Sequence, residues 1–186
     1  MNKIGILTFQ GTRNFGANLQ AFALQKAIEE LGGTCEIINY CCKAVSERER
    51  VKRFRDCRSF RDVVKWGVTF FDNKKSEFNI RFFQNHYLKL SAKNYDETNI
   101  EQANPVYDLF IVGSDQIWNL MLSAGDFSFF LDFVQDNSKK VSYAGSFGYN
   151  QIPELYQEKC GELLRKFKYL SVREAQGNQI IKDLLG

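Results

Sequence analysis

A chain of 186 residues, 44% of them apolar and 15% aromatic, has the length and hydrophobic content of one compact domain. Its 25% charged residues and net charge of +3 exclude a disordered or fibrous chain. Five cysteines in no ligand spacing and a single histidine exclude a structural zinc site, so no metal is expected and the thiols read as reduced. The amino terminus runs straight into Lys3-Ile4-Gly5-Ile6-Leu7 without a signal peptide. No apolar stretch is long enough to span a bilayer, so the expected localisation is cytoplasmic.

Residues 4–8 form a short apolar run, a candidate buried strand. The loop Gln10–Gly16 follows, and then Ala21, Leu24, Ile28 and Leu31 share one face of a helix that Gly32-Gly33 ends. Cys35 to Tyr40 is the second strand. Strand, helix and strand over about forty residues imply a parallel pair with a right-handed crossover.

Residues 41–104 read as an insertion of a different character, basic and aromatic, with helical stretches near 57–71 and 74–87. Within it, residues 43–65 carry nine basic and four acidic side chains, a segment charge of +5. Interleaved acids and aromatics favour a solvated helical excursion over a nucleic-acid surface, and no nucleic-acid partner is expected. A peripheral contact with anionic lipid through 43–65 stays open. His86 has no acid or cysteine near it in pattern and reads as a surface or core histidine.

The βα rhythm returns at Tyr107. Strands are expected over 107–112, 140–144 and 169–172, a helix from Pro153 to about Phe167, and a final helix ending at Leu185. The fold class is therefore α/β and Rossmann-like, a mainly parallel sheet with helices on both faces and strands apolar on both sides.

Four segments follow directly on strands: Gln10–Gly16, Gly113–Asn119, Ser146–Gly148 and Arg173-Glu174. In an open parallel sheet they line one edge, where ligands bind. In the first loop, Gly11, Asn14 and Gly16 suit a tight turn, while backbone N–H groups and Arg13 suit an anion. The loop matches neither a dinucleotide fingerprint nor a phosphate-binding Walker loop, so neither NAD nor ATP is supported. Ser114, Asp115, Gln116 and Asn119 supply hydrogen bonds beside Trp118, which is either a stacking surface for a sugar or a core plug. Arg173 either pairs with a neighbouring glutamate or holds a phosphate or carboxylate by its fork.

Residues 5–25 (from Gly5-Ile6-Leu7-Thr8-Phe9-Gln10-Gly11 to Leu24-Gln25), 107–119, 142–148 and 171–174, in that order and spacing, resemble the polysaccharide pyruvyl transferase family. The resemblance implies the amino-terminal half of a GT-B-like two-domain fold, with residues 1–186 as one domain and the second absent. It implies transfer of a pyruvyl group from phosphoenolpyruvate to sugar hydroxyls of a cell-surface polysaccharide, with no cofactor and a sugar or lipid-linked glycan as acceptor. Asp115 is then the catalytic base or the acceptor for a sugar hydroxyl, Arg173 contacts the donor's anion, and Arg13, Asn14, Gly16, Ser114, Gln116 and Trp118 bind substrate. Two other readings are a GT-B-type glycosyltransferase half and a non-catalytic binding or assembly module, in which a homo-oligomer finds a place.

Overall fold

The computed structural model describes residues 3–49 and 54–186. Five strands, β1 (Lys3–Leu7), β2 (Thr34–Tyr40), β3 (Leu90–Tyr95), β4 (Leu109–Gly113) and β5 (Lys140–Tyr143), form one sheet in the order β3-β2-β1-β4-β5. Every pairing between them is parallel. The helices are α1 (Phe15–Glu30), α2 (Lys43–Glu49), α3 (Phe60–Tyr87), α4 (Leu120–Ser123), α5 (Glu154–Leu164) and α6 (Ala175–Leu185).

The sheet is apolar on both faces because each is covered. Ile6, Ile37 and Ile111 point to one side and pack with Ala21, Leu24 and Ile28 of α1. Their neighbours Leu7, Ile38, Phe110 and Val112 point to the other, against Cys160, Leu163 and Leu164 of α5 and Ile180 of α6. Successive strand side chains alternate between faces, so a strand buried on both sides needs a continuous apolar run. That is how Ile4–Leu7 and Leu109–Val112 read. At the end of α1, Gly32 takes φ 81°, and the N–H of Gly33 donates to the Ile28 carbonyl at 2.9 Å, closing the helix as the Gly-Gly pair predicts.

Three expectations are corrected. The helical stretches near 57–71 and 74–87 are one continuous helix of 28 residues, opened by a reciprocal cap between Ser59 and Asp62. The region 41–104 is not merely an insertion, since it supplies β3, the edge strand beside β2. Its sequence Leu-Ser-Ala-Lys-Asn-Tyr is mostly polar because an edge strand is half solvated. The strand expected over 169–172 is reduced to two isolated parallel bridges, Val141 to Tyr169 and Gly145 to Val172. Between them side chains replace the ladder: the Ser171 N–H donates to Ser142 Oγ at 2.8 Å, and that hydroxyl donates to the Ser171 carbonyl at 2.9 Å. With this segment in the sixth place, the strand order is that of a doubly wound dinucleotide-binding fold. The basic block 43–65 lies partly outside the described residues.

β4 ends in a close approach. A Cβ on Gly113 would stand 1.8 Å from the Tyr143 carbonyl oxygen, and its φ of 137° suits glycine. Gly113→Ala must push β4 and β5 apart and is expected to lower stability by about 3 kcal/mol or more, read from urea unfolding. A second expectation concerns alkaline pH. Burial pushes the Cys42 thiol up to about 11 and the Cys160 thiol up to about 12. The unfolded chain loses these protons near 9 while the folded chain keeps them, so unfolding is favoured as pH rises above about 9. Cys160→Ala should flatten that decline, measured as denaturation midpoint against pH.

Candidate functional site

Parallel pairing brings the carboxyl ends of β1 and β4 side by side at the point where strand order reverses, and the chain leaves both ends in irregular loops. A cleft of about 190 Å³ opens there, lined by Thr12, Asn14, Arg48, Glu49, Asp115 and Gln116 among others.

The β1–α1 loop is held from beneath by amides. Asn18 Nδ2 donates to the carbonyls of Thr12 (2.9 Å) and Asn14 (2.8 Å). Gln84 Nε2, reaching over from α3, donates to the Gln10 carbonyl at 2.6 Å and to Asn18 Oδ1 at 2.8 Å. Gln10 Nε2 in turn donates to the Tyr40 carbonyl at the end of β2. Asn14 caps α1, its Oδ1 accepting from the N–H groups of Gly16 (2.8 Å) and Ala17 (3.4 Å). The turn-and-cap geometry that the sequence allowed is therefore realised, and Asn14 itself satisfies the first-turn donors. Gln10 Oε1 and Arg13 Nε are buried without a hydrogen-bond partner among the described residues, polar capacity that native interiors rarely leave unused.

Arg13 turns away from Asp115. Its backbone N–H donates to Glu49 Oε2 and its Nη2 to Asn73 Oδ1, both at 3.0 Å. It lines a second, larger cavity of about 560 Å³ between this loop, α2 and α3, with Trp66, Phe70, Lys74 and Arg81. Thr12 and Glu49 border both cavities.

After β4, Asp115 Oδ1 accepts from the Gln116 N–H at 2.8 Å, while Oδ2 makes no hydrogen bond among the described residues. Ser114 and Gln116 stand half-buried beside it. Gln116 Oε1 accepts from Asn119 Nδ2 at 3.4 Å, and Asn119 caps α4. Trp118 is corrected as a ligand-stacking surface. It is fully buried, its Nε1 donates to the Phe129 carbonyl at 3.0 Å, and its ring packs on Phe130, Phe147 and Phe167.

Arg173 lies at the next strand ends and already has an anion. Its Nη2 (2.7 Å) and Nε (2.8 Å) both meet Glu174 Oε1, which also accepts from the Ser146 hydroxyl at 2.9 Å. The Ser146 N–H donates to the Asp115 carbonyl at 3.1 Å, so buried Ser146 ties the two segments together. Of the residues singled out by sequence, Asn14, Asp115 and Gln116 share the cleft, whereas Arg13 opens into the neighbouring cavity and Arg173 is engaged by Glu174.

Sequence reasoning missed Arg48 and Glu49. Arg48, the cation of the cleft lining, donates Nη2 to the Met121 carbonyl at 3.1 Å. The signal was present, since α2 follows β2 directly and so stands at the same sheet edge. Among the described residues no cluster of three metal-ligating side chains occurs.

Fold and cleft together define a Rossmann-type α/β domain with a cleft at the strand-order reversal. The sequence model of the family "Polysaccharide pyruvyl transferase" matches residues 14–186, and the chain belongs to that family, whose activity is pyruvyl transfer to polysaccharide. No curated protein and no solved structure matches it.

Removing the Gln84 amide should unfasten the first loop. Gln84→Ala is expected to cost about 1–3 kcal/mol and to speed amide exchange across residues 10–16, followed by hydrogen–deuterium exchange. Trp118→Ala should cost about 3–5 kcal/mol, as for any fully buried aromatic, measured by thermal and urea unfolding.

Proposed function

We propose that this chain supplies the acceptor side of pyruvyl transfer from phosphoenolpyruvate to the hydroxyls of a cell-surface polysaccharide or its lipid-linked precursor. The observation that carries this reading is Asp115 at the cleft, with one oxygen fixed by its neighbour's N–H and the other unbonded among the described residues. A carboxylate so held can accept a proton from a sugar hydroxyl without rotating away. The cleft lining carries two carboxylates and one guanidinium, which suits a neutral polyhydroxyl acceptor better than a donor bearing both phosphate and carboxylate.

In the overall reaction two sugar hydroxyls add to C2 of the enol. One of their protons goes to the methylene carbon, which becomes the methyl group. The C2–O bond to phosphate breaks, and inorganic phosphate leaves with the second proton. The chemistry asks for a positioned acid, a base and fixed positive charge, and no cofactor. Arg173 meets the donor by exchanging Glu174 for a substrate anion, a role its planar fork fits. Further cations come from a second, GT-B-like domain closing over the sheet edge. Free thiols at Cys35, Cys41, Cys42 and Cys160 suit a cytoplasmic setting.

The test mixes a full-length relative carrying the matching residues and the second domain with phosphoenolpyruvate and a saccharide bearing neighbouring hydroxyls, following phosphate release and the ketal methyl signal by NMR. Asp115→Asn is expected to lower turnover about 10²- to 10⁴-fold with saccharide affinity little changed. Arg173→Lys should raise KM for phosphoenolpyruvate. Wild-type turnover in Asp115→Asn, or wild-type saccharide affinity in an Asp115→Ala/Arg48→Ala double variant, overturns the reading.

A further inference from the structure

α3 has two unlike faces. The inner face holds the domain: Asn73 accepts from Arg13, Ile80 is buried, Phe83 packs edge-on against Phe22, and Gln84 braces the first loop. The outer face is apolar and exposed. Val68, Phe71 and Phe78 are 75%, 79% and 68% exposed, and Val64 and Phe82 are 49% and 47% exposed. With Lys75 between Phe71 and Phe78, these positions recur every three and four residues along about 27 Å of helix.

Two partners could cover such a seam: another helix, or the interface of a lipid bilayer. The charges decide between them. Lys65, Lys74, Lys75 and Arg81 are all exposed on or beside the seam, and Arg55, Arg58 and Arg61 are exposed where the helix begins. Glu77, half-buried, lies away from this face, lining the cavity beside α2 and pairing with Lys74 and Arg81 at its rim, and Asp72 is the exposed acid of α3. A second copy of the helix would set like charges against each other and bury the Lys75 ammonium inside the seam, a costly desolvation. At a membrane the aliphatic stem of Lys75 lies along the apolar layer while its ammonium rises to lipid phosphate. No helix among the described residues is long and apolar enough to cross a membrane, so α3 is suited to lying on the surface.

We propose that α3 is an interfacial helix that seats this protein on an anionic lipid surface, with Val64, Val68, Phe71, Phe78 and Phe82 at headgroup level and the flanking cations on lipid phosphates. This stands apart from the assignment of the cleft and survives its failure. It also moves the lipid contact from residues 43–65 to the outward face of 60–82.

The test floats the full chain with vesicles of phosphatidylcholine alone and of phosphatidylcholine containing phosphatidylglycerol. Binding is expected to the anionic vesicles, with at least about tenfold preference over the neutral ones and weakening at high salt. Phe71→Ser/Phe78→Ser should bind at least about tenfold more weakly with its thermal unfolding unchanged, because both side chains are exposed. Lys74→Glu/Lys75→Glu should abolish the preference for anionic lipid. Absence of vesicle binding by the folded wild type, or wild-type binding by the phenylalanine variant, overturns the proposal. So does a concentration-dependent dimer in sedimentation that the phenylalanine variant disrupts while vesicles bind neither protein.

Discussion

Parallel pairing on both sides of β1 is the constraint on which the molecule depends. Hydrogen bonded to β2 on one side and β4 on the other, β1 fixes the direction of every strand, and with it the edge at which every loop emerges. Segments separated by a hundred residues, such as 10–16 and 113–119, become neighbours because their strands run the same way. Gly113 lets β4 come close enough to β5 to hold this arrangement. Nothing in the local chemistry of Asp115 requires it to face Asn14; the register of the sheet does.

The first loop of the cleft is held from beneath mainly by amides. Gln84, Asn18 and Gln10 form a chain of hydrogen bonds from α3 through the first loop to the end of β2. Neutral donors of this kind fix geometry without placing a formal charge beneath the ligand, so the field in the cleft is set by Arg48, Glu49 and Asp115 at its lining. α3 therefore does more than cover one face of the sheet, for its inner side chains set the shape of the first loop.

The sheet, four of its five strands and the edge that bears the cleft were legible in the sequence, because buried parallel strands are short apolar runs ended by glycine or polar turns. β3 was hidden by its position at the edge, where half-exposed Ser, Lys and Asn erase the apolar signal. The sixth strand was overread, since no pattern announces that Ser142 and Ser171 side chains take over from backbone pairing. Within the site, Asp115 and Gln116 could be named from their place after a strand, but side-chain direction could not. Trp118 turns into the core and Arg13 toward α3. Arg48 went unnoticed because charge dominated the reading of its segment, although the strand-end rule that selected the other loops applied equally to it.

The two margins of the sheet bear on how the chain behaves at high concentration. At one margin β3 carries Lys93, its amine hydrogen bonded to Gln102, and Asn94, bonded to Asn39 at 2.6 Å. At the other, β5 meets a segment whose ladder is interrupted by serine hydroxyls. A free strand docking on either margin would have to desolvate a lysine or displace side-chain hydrogen bonds before making backbone pairs. Both margins thus oppose fibril-like growth by strand addition, and the sheet keeps its width as the chain becomes crowded.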